Sequence, residues 1–89
     1  MRESKSVEYS NQFTKQLKKA SIKIKKAFLR RRQLFIQNPQ HPLLKNHSLV
    51  GELAGLSSFN VTGDWRAVFK EEINKITFVA LGTHSQLYR

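Results

Sequence analysis

Few side chains in this 89-residue sequence could act in catalysis or bind a metal ion. The sequence contains no cysteine, so thiolate catalysis and disulfides are excluded. The sequence has no HExxH motif, no glycine-rich phosphate loop and no informative Ser-His-Asp spacing. Its three histidines form no i,i+4 pair and have few carboxylates nearby, which is a poor ligand set for zinc. We therefore expect no metal and no cofactor. The candidate reactive groups are His41, His47, Glu52, Asp64, Arg66, His84 and Tyr88.

This set of side chains suits the cleavage of RNA without a metal ion. RNA carries its own nucleophile, the 2′-OH, so a protein must supply only proton transfer and charge stabilisation. Histidine suits the proton transfers, because its unperturbed pKa is about 6.5. The guanidinium of arginine is permanently charged, and its planar array of N–H donors can bond two phosphate oxygens at once. An aromatic ring can stack on an unpaired base.

The charge of the chain favours a polyanionic partner. The formal net charge is +10, and residues 1–32 carry eleven Lys or Arg against two acidic residues. Residues 33–89 carry five Lys or Arg against four acidic residues. So strong and uneven a field attracts nucleic acid first of all. An anionic membrane surface, an acidic protein partner and a merely solvated lysine-rich helix are the alternatives.

The size of the chain limits it to one domain, residues 1–89. A protein of 10.3 kDa buries only about 60–65% of its unfolded surface, which excludes a two-domain enzyme. No stretch approaches the ~20 apolar residues that a membrane span needs, and no signal peptide opens the sequence. We expect a cytoplasmic protein that does not bind membranes.

The first half of the sequence predicts a strand followed by two helices. Val7 and Tyr9 alternate with a polar residue, as in a short strand, and Ser10 can cap the helix that follows. Ser21 is a second cap, which predicts a tight break between two helices. The second helix should span about residues 22–37, because Pro39 disfavours helical geometry in the residue before it.

The second helix carries two apolar stripes on nearly opposite sides, so we expect it to pack on both sides. One stripe would cover a sheet, and the other would meet the first helix. Cationic residues between the stripes must face water or a partner. The first stripe is Ile24, Ala27, Phe28, Leu34 and Phe35, and the second is Ile22, Leu29 and Ile36. The cationic residues that we predict to bind RNA are Lys23, Lys26, Arg30 and Arg32.

The second half predicts strands. Residues 49–53 suit an edge strand or an extended lead-in, and residues 59–62 and 65–70 alternate on either side of a Gly63-Asp64 turn. Residues 76–81 are apolar on both faces, as in a central strand. The predicted fold is α+β, in the order β-α-α-β-β-β, with a helical hairpin packed on a small, mainly antiparallel sheet.

Three segments together resemble the RelE/ParE toxin superfamily, and most of all its YafQ branch of mRNA-cleaving toxins. Residues 46–51, NHSLVG, resemble the family's DHPLxG stretch, and residues 63–69, GDWRAVF, resemble its PDWxLxY strand. Residues 81–88, LGTHSQLY, resemble its xGTHxxLF/Y terminus and are the most specific part. The opening VEYSxQFxKxLK is also similar to the family's first strand and helix. The resemblance covers nearly the whole chain and implies the RelE-like microbial RNase architecture.

The resemblance implies a role for each matching residue. His84 corresponds to the essential terminal histidine, a general acid or base, and His47 to a histidine that shares proton transfer. Asp64 corresponds to an acidic residue that either acts as the general base or orients an imidazole ring. Tyr88 corresponds to the aromatic that supports the scissile nucleotide, and Trp65 to an aromatic that packs below the site or contacts RNA.

Considered without the resemblance, the same residues have structural interpretations. Asp64 after Gly63 is a natural turn residue, and Trp65 alternates with Ala67 and Phe69 as a core residue would. His84 and Arg66 could be solvated, and His47 could be a loop donor.

Two positions depart from the YafQ pattern. Asn60 stands where that branch has another histidine, and an amide can hydrogen-bond a phosphate but cannot transfer a proton near neutral pH. Arg66 resembles the phosphate-binding arginine in the RLVY strand of the RelE branch. Arg66 could therefore supply the charge stabilisation that the missing histidine does not.

As a whole, the resemblance implies the toxin of a type II toxin–antitoxin pair. That toxin would be a ribosome-dependent, metal-independent endoribonuclease whose partners are ribosomal RNA, mRNA and a cognate antitoxin with an acidic toxin-binding segment. One alternative is a ParE-like toxin that inhibits DNA gyrase and cleaves no RNA. The other is a basic RNA-binding module or an inactive relative, which Asn60 would suit.

Overall fold

The computed structural model describes residues 5–88, which form three α-helices and a five-stranded sheet. The helices are α1 (Asn11–Lys19), α2 (Ile22–Gln37) and α3 (His84–Leu87). The strands are β1 (Ser6–Tyr9), β2 (His47–Ser48), β3 (Ser57–Asn60), β4 (Trp65–Glu71) and β5 (Lys75–Thr83). Two single-turn 3₁₀ helices, Pro42–Leu44 and Gly51–Leu53, flank β2.

The sheet is mixed, with the strand order β1-β5-β4-β3-β2. Only β1 and β5 pair in parallel, and the other three pairings are antiparallel. Phe59 pairs with Ala67, which in turn pairs with Leu81, and all three side chains are buried. This row lies on the face that α1 and α2 cover. The predicted α+β class, with a helical hairpin on a mainly antiparallel sheet, is confirmed.

All six phenylalanines of the chain are in the core, each at most 2% exposed. Phe28 of α2 lies with its ring centroid 5.1 Å from that of Phe13 of α1 and 5.2 Å from that of Phe78 of β5. The ring centroid of Phe35 in α2 lies 4.8 Å from that of Phe69 in β4. The Phe28–Phe78 pair is edge to face and the other two pairs are tilted, so ring–ring attraction adds to the large buried area. This cluster fixes both helices on the sheet, although the chain is short.

The two serine caps form as the sequence predicts. The Ser10 hydroxyl accepts a hydrogen bond from the backbone N–H of Phe13 at 3.0 Å, and the Ser21 hydroxyl accepts one from that of Ile24 at 3.3 Å. Each bond satisfies one of the free donors in the first turn of a helix. The predicted bounds of α2, residues 22–37, are confirmed.

The prediction that α2 packs on two sides is wrong. Ile22, Leu29 and Ile36 are 65%, 49% and 49% exposed, and we call these three residues the exposed stripe. The only buried residue of α1 is Phe13, whose ring contacts Phe28. The buried arc of α2 therefore meets both α1 and the sheet, and nothing within residues 5–88 covers the exposed stripe.

The segment before the β3–β4 hairpin also differs from its prediction. Residues 49–53 do not form an edge strand, because Gly51 has φ +70 and begins a 3₁₀ turn. The edge strand is β2, two residues long and earlier in the sequence. Strand β3 begins and ends two residues before the predicted 59–62, and residues 61–64 form the turn. The last helix, α3, was not predicted.

None of the helices in residues 5–88 has the length and hydropathy of a membrane span.

Candidate active site

The outer face of the sheet, opposite α1 and α2, carries several of the predicted site residues. Asn60 of β3 pairs with Arg66 of β4, and His47 of β2 pairs with Ser58 of β3. Side chains alternate along a strand, so Ser58 and Asn60 point away from the helix-covered side that holds Phe59. The register therefore places His47, Asn60 and Arg66 on one face.

Helix α3 places His84 and Tyr88 next to this face. The Thr83 hydroxyl accepts a hydrogen bond from the Gln86 backbone N–H, and the Gln86 side chain accepts one from the Thr83 N–H at 2.8 Å. This capping box fixes the start of the helix at His84. A Cβ at Gly82 would lie 3.0 Å from the Gln86 side-chain oxygen, so glycine allows α3 to fold back against β5. These contacts explain the spacing of the GTHxxLY segment.

His47, Asn60, Arg66, His84 and Tyr88 line one open depression of about 620 Å³. This volume lies within the range of small-molecule sites, roughly 300–1,000 Å³. The remaining lining residues, which were not predicted from the sequence, are Lys45, Leu49 and Gly63. The described lining has two cations and no carboxylate, which favours an anion such as phosphate.

Arg66 is held in place by neutral backbone groups. Its Nη1 donates to the carbonyl oxygens of Gly63 at 3.0 Å, Trp65 at 3.3 Å and Thr62 at 3.4 Å. None of the ion pairs formed within residues 5–88 includes Arg66. The turn between β3 and β4 thus orients the guanidinium without neutralising its charge, which leaves that charge available to a phosphate.

The aromatic and imidazole groups have distinct surroundings. His47 Nδ1 lies 2.8 Å from the backbone oxygen of Lys45. The rings of His84 and Tyr88 meet edge to face with centroids 4.8 Å apart, and His84 is exposed. The Tyr88 hydroxyl is buried without a hydrogen-bond partner among the described residues. It is therefore a polar group that a ligand could satisfy.

Two predicted site residues do not line the depression. The backbone oxygen of Asp64 accepts the N–H of His84 at 3.0 Å, so Asp64 positions α3 through its main chain while its side chain is exposed. Trp65 is half-buried against the hydrophobic core, with its side chain on the helix-covered side of β4. His41, a third candidate group, caps a 3₁₀ turn by accepting the Leu43 N–H at 3.1 Å.

The four basic residues of α2 that were predicted to bind RNA fall into two groups. Lys23, Lys26 and Arg30 are exposed and lie on one side of the exposed stripe, as their helical spacing requires. Arg32 lies on the other side of that stripe and is half-buried, with its Nη1 donating to the Tyr9 hydroxyl at 2.6 Å. Lys23, Lys26 and Arg30 therefore share one cationic surface of α2, to which Arg32 does not belong.

The described residues contain no group of three or more His, Cys, Asp or Glu side chains that could hold a metal ion. What the depression offers instead is a pair of imidazoles, a guanidinium, an ammonium and a phenol. These groups can bind an anion and move protons.

Comparison with known proteins identifies the family of this chain. A family model described as "Bacterial toxin of type II toxin-antitoxin system, YafQ" matches residues 5–89. The chain belongs to the YafQ toxin family. This family lies within the RelE/ParE superfamily, as the sequence predicts. A search of curated proteins finds no match.

Solved structures give the same answer for this YafQ-family chain. YafQ from E. coli strain BL21(DE3) is 27% identical with a TM-score of 0.83, over 96% of this chain and 99% of that one. The toxin in the E. coli DinJ-YafQ toxin-antitoxin complex is 27% identical with a TM-score of 0.81, over 97% and 99%. YoeB from Staphylococcus aureus, described as a dimer, is 19% identical with a TM-score of 0.76 over 92% and 99%, and shares the fold.

Proposed function

We propose that this YafQ-family toxin is an endoribonuclease that cleaves mRNA on the ribosome through the attack of the substrate's own 2′-OH. The observation that carries the proposal is the shared depression. His47, Arg66 and the pair His84 and Tyr88 come from three separate segments of the chain and line one cationic surface. A merely structural role would not require two imidazoles and a guanidinium to converge.

The two histidines supply the proton transfers. One imidazole takes the proton of the 2′-OH while O2′ forms a bond to phosphorus. The other imidazole gives a proton to the 5′-oxygen as the phosphorus–O5′ bond breaks. The products are a 2′,3′-cyclic phosphate, which can open to a 3′-phosphate, and a 5′-OH end. Proton transfer by a positioned side chain typically contributes ~10²–10⁴-fold in rate.

Arg66 and Tyr88 stabilise the phosphorane. The Arg66 Nη1 is already engaged with turn carbonyls, so its remaining N–H groups can reach phosphate oxygens. A buried hydroxyl without a partner costs about 1–3 kcal/mol, and the Tyr88 hydroxyl would recover this by donating to a bound phosphate. Asn60 lies beside Arg66 in the sheet and can add an amide donor where the YafQ pattern that the sequence resembles has a histidine.

The cationic surface of α2 binds ribosomal RNA in this proposal. Lys23, Lys26 and Arg30 lie on the helix-covered side of the sheet, away from the depression. They can therefore hold a large RNA while the depression receives the mRNA. Cations that contact phosphates release counterions, which provides much of the affinity at low salt.

The second partner is a cognate antitoxin, as in the DinJ-YafQ complex of the E. coli relative. The exposed stripe supports a protein partner, because Ile22, Leu29 and Ile36 gain little from RNA phosphates. Lys25 and Arg32 border it on one side and Lys26 on the other. An amphipathic segment with an apolar stripe and acidic flanks matches this surface in both respects.

Primer extension on mRNA in a translating extract, with and without the protein, tests the proposal. We expect new ends at discrete, codon-phased positions, which disappear when the ribosomes are removed. Ends that are unphased, or equally frequent on free RNA, would contradict ribosome dependence. No new ends together with inhibited DNA gyrase supercoiling would identify the protein as a non-nuclease toxin instead.

A further inference from the structure

Lys45 has an unusual backbone conformation. It follows the 3₁₀ turn Pro42–Leu44 with φ 47 and ψ 44, and within residues 5–88 it is the only non-glycine residue with positive φ. Glycine and asparagine usually occupy this left-handed region, because a Cβ crowds the backbone there. Such strain persists where the surrounding structure enforces it, and it is concentrated at functional sites.

The conformation of Lys45 is linked to the orientation of His47. The backbone oxygen of Lys45 lies 2.8 Å from His47 Nδ1. A carbonyl oxygen can only accept a hydrogen bond, so the contact requires a proton on Nδ1. In neutral imidazole the free lone pair then lies on Nε2. Since His47 lines the depression with Arg66 and His84, that lone pair is available to a substrate there.

We propose that Lys45 is a positioning residue: its left-handed backbone directs its carbonyl onto His47 Nδ1 and makes Nε2 the general base of RNA cleavage. This inference rests on the proposed function and adds a division of labour between the two histidines. Nε2 of His47 takes the 2′-OH proton as O2′ bonds to phosphorus. His84 gives its proton to the departing 5′-oxygen. The Nδ1–H of His47 donates its hydrogen bond to the Lys45 carbonyl oxygen throughout the reaction. This hydrogen bond strengthens when the imidazole becomes cationic.

The backbone role predicts an unusual mutational pattern. Lys45→Gly removes the ammonium but accepts positive φ without strain, so the carbonyl should stay on Nδ1. Lys45→Val also removes the ammonium, but its β-branched side chain disfavours positive φ. Both variants lose the ammonium that lines the depression, so a loss common to both reports on that charge, and a further loss in the valine variant reports on the backbone. If the ammonium is what matters, both variants lose activity alike.

The first measurement needs no substrate. Long-range ¹⁵N–¹H spectra of the free protein, recorded where His47 is neutral, show which ring nitrogen carries the proton, and the signals are assigned with His47→Gln. We expect Nδ1–H in the parent and in Lys45→Gly, and a mixture of tautomers in Lys45→Val. An Nε2–H tautomer in the parent would overturn the inference, whether or not the protein cleaves RNA.

The second measurement is ribosomal mRNA cleavage under single-turnover and steady-state conditions. We expect kcat for Lys45→Val to fall about tenfold or more below that for Lys45→Gly, with similar KM values for the two variants. Lys70→Val, an exposed strand position outside the depression, controls for the lost charge. Thermal unfolding confirms that each variant folds, and Lys45→Ala replaces the valine variant if that one does not.

The outcomes separate this inference from the proposed function. An active parent with equal losses in Lys45→Gly and Lys45→Val would assign the effect to the ammonium and refute the positioning role. Full activity in Lys45→Val would refute that role as well. A parent that cleaves no mRNA would refute the proposed function, and the tautomer spectra would still decide whether Lys45 orients His47.

Discussion

His84 is exposed at the first position of a four-residue helix, so it adds little to the packing of the protein. We expect His84→Ala to leave the thermal unfolding midpoint nearly unchanged and to lower the mRNA cleavage rate by ~10²–10⁴-fold. Ser85→Ala, at the next exposed position, is the matched control. Cleavage at the parent rate by folded His84→Ala would remove this residue from the catalytic set.

Substitutions of Arg66 can separate the contribution of its positive charge from that of the planar guanidinium geometry. A guanidinium can bond to two phosphate oxygens at once, whereas an ammonium offers a point charge. Arg66→Lys should therefore retain more cleavage activity than Arg66→Ala, and both should fold. Single-turnover rates on ribosomes, with chemical denaturation as the control, check this order. A fully active but less stable Arg66→Ala would show that the residue only holds the β3–β4 turn.

At this scale the sequence predicted residues that the structure brings together, while their catalytic roles stay predictions. His47, Asn60, Arg66, His84 and Tyr88 were predicted from motifs, and the structure places all five in one depression. Lys45 could not be found, because positive φ in a non-glycine residue leaves no sequence signal. Asp64 and Trp65 match the family's motif, yet strand alternation and the α3 contact place them outside the described lining of the depression.

Helix α2 carries two surfaces, and we expect them to serve different partners. Replacing Lys23, Lys26 and Arg30 with Gln should weaken ribosome binding and reduce its salt dependence, because fewer counterions are released. Replacing the exposed stripe, Ile22, Leu29 and Ile36, with Gln should weaken antitoxin binding far more than ribosome binding.

Both variants should fold, because all six side chains are exposed. Sedimentation with ribosomes over a salt series and titration with the antitoxin separate the two effects. A ribosome affinity that keeps its salt slope after the Lys and Arg replacements would place the RNA contact elsewhere. Unchanged antitoxin affinity after the stripe replacements would show that the antitoxin covers another face.

The elements of the chain were predictable where local signals were strong. The Ser21 cap and Asn38-Pro39 set the limits of α2, alternation identified β4, and a run of residues that is apolar on both faces identified β5. Strand β2, only two residues long, carries no periodic pattern and exists because His47 and Ser48 pair with β3. The packing of the exposed stripe was mispredicted, because apolar spacing shows that a surface can be covered but not by which partner.

Across the whole molecule, the cationic surface of α2 and the depression lie on opposite sides of the sheet, and the molecule measures about 35 × 30 × 27 Å. A short free RNA would engage one surface at a time. A ribosome can hold the toxin by α2 and present mRNA to the depression on the other side. Under the proposed function, this geometry would make cleavage depend on a large RNA assembly that positions the substrate.

The substrate itself provides the last prediction, because the proposed mechanism places the nucleophile on the RNA. Residues 5–88 contain no cluster of ligands suited to a metal ion that could activate water. An mRNA with a 2′-O-methyl group at the scissile nucleotide lacks the attacking hydroxyl and should therefore resist cleavage, whereas the same group one nucleotide away should have little effect. Purified ribosomes programmed with the native mRNA and with each modified mRNA provide the measurement. Since toeprinting can verify that all three occupy the decoding site equally, a difference in cleavage reports on chemistry. Equal cutting at the modified and native nucleotides would mean that water or a protein group attacks the phosphate, and acid–base cleavage by His47 and His84 through the 2′-OH would have to be abandoned.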